Sequence, residues 1–308
     1  MAPIYWKTFS LGIYLVFIAA AAFAGGMTMA FIAIGHRRMQ VLLSFTAGVM
    51  LGVGFLHLLP HAFYQLGNDI NATAAWSIAG FFLMFLLERF FHGHAHHTAD
   101  RDLLAHACEL DHPRTTPNAA DHSCELHHGA GQSSQWVWVG AFAGLSLHSL
   151  ADGAALAASV NTDVMHGAGM LAGLATFLAI LLHKPFDAGI IATLMVHSDA
   201  TPRMRTVVNG LYALVVPLGS IVFLLSLQFF GDAHGSLLGI ALAMAAGAFL
   251  CIAAADLLPE VQFHSHDRVL LTVALASGLL VAFGITALEK SSHSHHSHSS
   301  SGHLMQPQ

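Results

Sequence analysis

Charge is scarce in this sequence. Asp, Glu, Lys and Arg make up 9% of its 308 residues, against about a quarter in soluble globular proteins. That shortage excludes an ordinary water-soluble domain. The charges present are 17 acidic and 11 basic, a net of −6, so the basic footprint of a nucleic-acid binder is missing. Cysteine is nearly absent too. Cys108, Cys124 and Cys251 form no Cys-x-x-Cys pair and cannot make a disulfide framework. Without a His-Glu-x-x-His motif, an intramembrane metalloprotease lacks its general base. No cleavable signal peptide is expected, because the apolar run after Lys7 is too long for a signal core and reads as a first span.

What the chain has in quantity is apolar surface and histidine. It is 55% hydrophobic with a mean hydropathy of +0.64, and its 24 histidines cluster in loops, in the tail and at a few positions inside apolar runs. Windows long enough to cross a bilayer fall at about 9–34, 41–66, 72–91, 136–160, 167–195, 207–230, 235–262 and 269–289. They predict an all-α integral membrane protein with eight transmembrane helices. Turn and polar residues fill the connections, among them Gly67-Asn68-Asp69, Asn161-Thr162-Asp163 and Ser198-Asp199-Ala200-Thr201-Pro202. The third-to-fourth connection, 92–135, is the long one.

Arg37, Arg38, Arg89, Arg101, Arg114, Arg203, Arg205 and Arg268 all fall on one side of this arrangement. Basic residues favour the cytoplasm, so both termini are expected to be extracytoplasmic, in a multi-pass protein of the cell (inner) membrane. The chain then divides into spans one to three (1–91), a His-rich cytoplasmic loop (92–135), spans four and five (136–195), spans six to eight (196–290) and a His/Ser-rich extracytoplasmic tail (291–308). The loop includes His92, His94, His96, His97, His106, Cys108, His112, His122, Cys124, His127 and His128 at irregular spacing. That pattern suits disorder and weak, exchangeable metal binding rather than a folded zinc domain.

An internal repeat runs through the spans. Ala47-Gly48 through His57-Leu58-Leu59-Pro60-His61 aligns without gaps to Ala246-Gly247 through Asp256-Leu257-Leu258-Pro259-Glu260, at a constant offset of 199. The second span runs outward and the seventh inward, so the copies have opposite topology. Inverted repeats of this kind are a transporter signature. Pro60 and Pro259 are expected to bend their helices.

Two further motifs carry the chemistry. His148 and Asp152 lie in the fourth span, and His183 and Asp187 in the fifth. A spacing of four puts each pair on one helix face, and ionisable groups at membrane depth mark a pathway or a ligand site. Together the pairs offer two imidazoles and two carboxylates to one divalent cation. Such donors suit Zn²⁺, Fe²⁺ or Mn²⁺, whereas Cu(I) would call for thiolate or thioether. Lys184 sits beside them, able to pair with Asp152, Asp187 or Asp256 when no metal is bound, and Pro185 is expected to kink the fifth span. His57 and His61 are candidates for a relay or for interhelical hydrogen bonds.

His148-Ser149-Leu150-Ala151-Asp152-Gly153 resembles the fourth-span motif of the ZIP (Zrt/Irt-like) divalent-metal transporters, and His183 through Asp187 resembles their fifth-span motif. Eight spans, the His-rich third loop and extracytoplasmic termini match as well. Lys184 stands where many members have an acid that helps hold a second metal, which points here to one metal rather than two. The resemblance implies inverted three-helix repeats around a central helix pair and a non-enzymatic importer of Zn²⁺, with Fe²⁺ or Mn²⁺ as alternatives, into the cytoplasm. It implies Asp256 beside the transport site and Glu260 toward the cytoplasmic exit. Ser149 joins these as a pathway residue. The partners expected are the metal ion and the lipid bilayer, with a homodimer allowed. A rival reading is a membrane-embedded haem redox protein using His57, His148, His183 and His197 as axial ligands; it requires a Soret band and leaves the paired Asp residues unexplained.

Overall fold

The computed structural model describes residues 2–29, 36–92, 134–167, 171–229, 234–263 and 268–297. The His-rich loop and most of the His/Ser-rich tail lie outside these described residues. Among the described residues ten α-helices and one π turn follow in order: α1 (Ala2–Met29), α2 (His36–Val53), the π turn Gly54–Leu58, α3 (Leu59–Gln65), α4 (Ile70–His92), α5 (Ser134–Met165), α6 (Leu174–His197), α7 (Pro202–Ala213), α8 (Val215–Phe229), α9 (His234–Phe263) and α10 (Arg268–Ser297). Among the described residues these give eight segments long and apolar enough to cross a membrane. The second span is α2, the π turn and α3 together. The sixth is α7 followed by α8.

Local chemistry sets the boundaries. Asp69 caps α4, its Oδ1 accepting from the backbone N–H groups of Asn71 and Ala72 at 2.8 and 3.1 Å. Thr201 caps α7 by accepting from Met204 N–H, and Pro202 occupies the first turn where its missing N–H costs nothing. Pro60 takes the same kind of place in α3. In the turn before it the backbone widens, with Leu59 N–H reaching Gly54 O in an i→i+5 bond. The bend expected at Pro60 therefore takes the form of a π turn that carries His57.

One expected connection is helix instead. Asn161, Thr162 and Asp163 belong to α5, which continues to Met165, and all three are buried. The side chains of Asn161 and Asp163 find partners within the fold. Asn161 Nδ2 donates to Ala157 O at 3.0 Å, and Asp163 Oδ2 accepts from Gly173 N–H at 2.6 Å. The chain turns later, through Gly167 at φ 89° and Gly173 at φ 76°, so α6 begins at Leu174 and not near 167. The signature of a loop was read from residues that serve an interior polar cluster.

The closest helix packings are α2 with α10, α4 with α9, α1 with α6 and α5 with α8. In span numbers these are 2·8, 3·7, 1·5 and 4·6. Exchanging spans one to three with six to eight, and four with five, converts 2·8 into 7·3 and 1·5 into 6·4. The packing thus obeys the inverted repeat. Gly48 and Gly247, equivalent at the offset of 199, show it at atomic level. A Cβ on Gly48 would strike Leu275 O of α10, and one on Gly247 would strike Ser77 O of α4. Small residues allow this backbone approach between membrane helices. Gly153 and Gly219 do the same for α5 and α8, as does Gly25 against Pro185 for α1 and α6.

The bundle resolves into two bodies. Spans one, four, five and six pack mainly on one another, and spans two, three, seven and eight do likewise. Apolar side chains such as Val16, Phe17, Leu280 and Phe283 remain exposed on the outside, where hydrocarbon would cover them.

Candidate metal site

His148 and Asp152 face His183 and Asp187 across the contact between α5 and α6. The spacing of four puts each pair on one face, and both faces turn inward: His148, Asp152, His183 and Lys184 are buried, and Asp187 nearly so. Asp152 Oδ2 lies 3.3 Å from Nε2 of both histidines. Asp187 Oδ2 stands further off, 3.8 Å from His148 Nε2 and 4.0 Å from His183 Nε2. His148, Asp152 and His183 form a group whose donor atoms lie within 4.8 Å of one another. Asp187 borders that group without belonging to it.

The imidazole of His183 is oriented by the backbone. Its Nδ1 lies 2.8 Å from Ala179 O, and a carbonyl can only accept, so Nδ1 carries a proton and Nε2 is the nitrogen turned to the cluster, where a metal would take its lone pair. A metal-binding histidine is commonly held this way. Phe249 of α9 packs edge-on against the same ring at 6.1 Å. With Asp152 set between the two imidazoles, no slot for a haem plane separates His148 from His183. His197 points elsewhere, bonded through Nδ1 to Thr193 O near the end of α6 and exposed.

Lys184 turns into the cluster. Its Nζ donates to Asp152 Oδ2 at 2.5 Å and to Asp187 Oδ2 at 2.9 Å. The ammonium thus balances one of the two carboxylate charges. An uncompensated charge at this depth would cost several kcal/mol. Pro185 follows within a helix that runs on unbroken to His197.

Tyr212, at the end of α7, was not singled out by the sequence. It donates to Asp187 Oδ2 at 3.3 Å, its hydroxyl accepts from Ser149 Oγ at 3.0 Å, and its ring lies 5.9 Å from Lys184 Nζ. One Tyr in a long apolar span gives no local signal. Ser149 Oγ also lies 2.7 Å from Leu145 O, which shares the single Ser149 hydroxyl hydrogen with Tyr212, so Ser149 links the helix to Tyr212 one residue from the donors. An apolar cavity of about 280 Å³ opens between α4, α5 and α9, lined by Met84 and Met244 among others, and reaches His148 and Asp152.

The other expected residues go to different places. His57 and His61 are not in this cluster; they meet Asp163 near the far end of α5. The side chains of Asp256 and Glu260 lie outside the described residues, as do Cys108, Cys124 and the loop histidines.

Comparison with known proteins bears on what such a cluster does. The family model described as ZIP Zinc transporter matches residues 9–290. Zinc transporter ZIP1 of Danio rerio is 26% identical over 260 residues, covering 79% of this chain and 82% of that protein. Zinc transporter 3 of Arabidopsis thaliana is 23% identical over 252 residues, 76% of this chain and 70% of its own length. Zinc transporter ZIP9-B of Xenopus laevis is 34% identical over 133 residues, an alignment spanning 41% of each protein.

Proposed function

This chain belongs to the ZIP family of zinc transporters, and on that footing we propose that it carries Zn²⁺ into the cytoplasm through His148, Asp152, His183 and Asp187. The observation that carries the reading is the convergence of His148, Asp152 and His183 within 4.8 Å at the middle of two apposed spans. Imidazole and carboxylate donors from separate helices suit a borderline divalent ion that must also leave. Fe²⁺ and Mn²⁺ remain alternative cargoes by the same donor chemistry. The site holds one metal, because Lys184 fills the position from which an acid would hold another.

The direction of transport rests on the family resemblance and the sidedness on the arginine distribution, which favours termini outside and the His-rich 92–135 loop in the cytoplasm. There the loop collects arriving ions. By the same resemblance Asp256 belongs beside the transport site and Glu260 toward the exit on that side. The protein is a transporter of ions and not an enzyme, and it works in the cell membrane.

The test is zinc uptake into proteoliposomes loaded with a zinc-sensitive dye. His148→Ala and Asp152→Ala are each expected to abolish uptake while reconstituting normally. Near-native uptake by either variant would remove the site assignment.

A further inference from the structure

A second set of metal-binding side chains comes together three turns along α5 from Asp152. His61 Nδ1 lies 3.1 Å from Asp163 Oδ1, and His57 Nε2 lies 3.6 Å from Asp163 Oδ2. These three residues place one donor atom each within 4.8 Å of the others, a spacing that suits donors about 2.0–2.2 Å from a shared Zn²⁺. Glu289 stands behind His57, with Oε2 3.0 Å from its Nδ1. A carboxylate on the far ring nitrogen keeps the proton there and turns the Nε2 lone pair toward a metal. Ser159 agrees with that tautomer: Thr176 donates to Ser159 Oγ at 2.9 Å, leaving the Ser159 hydrogen for His57 Nε2 at 3.1 Å.

The site is built and not incidental. Asp163 is fixed by Gly173 N–H at 2.6 Å, and Glu289 Oε1 accepts from Ala175 N–H at 3.2 Å. His57, Asp163 and Glu289 are buried, while the His61 side chain keeps 22% exposure and forms the opening. Two carboxylates, Asp163 and Glu289, match the charge of a dication. Ligands and backing come from both bodies of the bundle: His57, His61 and Glu289 from spans two and eight, Asp163 from span four.

A polar track joins this site to the first. Residues 148, 152, 159 and 163 share one face of α5, because steps of four, seven and eleven residues return close to whole turns. Thr176, His183 and Asp187 share the facing stripe of α6 by the same spacing. The stripes meet at Ser159–Thr176, 2.9 Å, and at Asp152–His183, 3.3 Å. Eleven residues of α5 put the two sites about 16 Å apart.

We propose that His57, His61 and Asp163, backed by Glu289, form a second divalent-cation site that captures ions from the extracytoplasmic side before they reach His148, Asp152 and His183. Its part in uptake rests on the function proposed above; its capacity to hold a cation does not.

The experiment locates zinc by anomalous diffraction from the full-length protein crystallised with Zn²⁺, and measures uptake kinetics alongside. A zinc peak is expected among His57, His61 and Asp163, retained in Asp152→Ala and lost in the double variant His61→Gln/Asp163→Asn. His61→Gln, a change at the partly exposed member, is expected to raise the apparent KM for uptake at least fivefold with maximal rate within twofold of native. A merely structural cluster would instead lower the amount of folded protein and leave KM alone. Zinc at the first site with none at the second would overturn this proposal by itself. Zinc at the second site with none at the first would uphold it and overturn the proposed function. A second-site peak with an unchanged KM in His61→Gln would overturn the capture role.

Discussion

Lys184 Nζ bonds to Asp152 Oδ2 at 2.5 Å, the same oxygen that Nε2 of both His148 and His183 faces at 3.3 Å. One carboxylate oxygen therefore serves three nitrogens. An ion that takes this oxygen must push the ammonium aside, and Asp187 Oδ2, already 2.9 Å from Nζ, is ready to receive it. Ammonium and metal are alternative counter-charges for one pair of acids.

Removing the ammonium should expose that competition. In Lys184→Met the two carboxylates lose their partner, and breaking a buried pair in this way costs about 3–5 kcal/mol. The variant is expected to unfold at a lower temperature than native protein in chelator, and to gain more from added zinc. Thermal unfolding in detergent measures both. Equal zinc-induced shifts in the two proteins would mean that lysine and metal do not compete.

Reversing the charge goes further. A unit charge about 4 Å from a carboxylate is worth about 4 kcal/mol at an effective dielectric near 20, before desolvation. Lys184→Glu removes that attraction and adds an oxygen donor beside Asp187. In protein lacking the His-rich loop and tail, the expected transport-site stoichiometry rises from one zinc in the Lys184 protein to two in Lys184→Glu, with slower turnover. Metal analysis after desalting decides it, read against an Asp152→Ala background to subtract the second site.

The 92–135 loop calls for a deletion. Its ligands are irregularly spaced and sit outside the eight spans, so removing 94–132 is expected to leave the initial uptake rate within about twofold and to change retention of zinc. Initial rates and later plateau values separate these effects. Complete loss of initial uptake with normal expression would place the loop in the permeation path.

Helix approach offers a test without metal. A Cβ at Gly247 would run into Ser77 O, whereas one at Gly140 meets nothing within 4 Å. Gly247→Ala is expected to destabilise by about 1–3 kcal/mol through overpacking. Gly140→Ala should be neutral or gain up to about 1 kcal/mol from helix propensity. Unfolding midpoints of the two variants, side by side, check the contrast.

The fold was largely legible before any coordinates. Long apolar runs permit little except spanning helices, and the Ala47–His61 repeat announced the inverted halves that Gly48 and Gly247 then display in their contacts. The pairs His148/Asp152 and His183/Asp187 were legible because a spacing of four has a fixed meaning on a helix. Tyr212 was not, since its role depends on where α7 ends relative to α6. Asp163 and Glu289 were missed for a different reason. Acids at the ends of apolar runs look like interfacial residues, and Asn161-Thr162-Asp163 has the composition of a turn. The signal lay in longer spacings: Asp163 follows Asp152 by eleven positions and Ser159 by four, which keeps all three on the face that begins at His148.

The division of the bundle into two bodies has a consequence for how cargo travels. His148, Asp152, His183, Lys184, Asp187 and Tyr212 all ride on spans four, five and six, within one body. Backbone-close contacts at Gly25 and Gly153 weld that body internally, and those at Gly48 and Gly247 weld the other. Packed helices of this kind move by shear along the softer boundary, and here part of the boundary is the apolar cavity between α4, α5 and α9. An ion would then be a passenger whose coordination stays whole during the crossing, while the surface it slides past changes. A cysteine pair bonding α4 to α5 is expected to arrest uptake, and one bonding α1 to α6 to leave it running. The ion at His57, His61 and Asp163 has no such passage. Its ligands belong to both bodies, so the first slip between them lets it go.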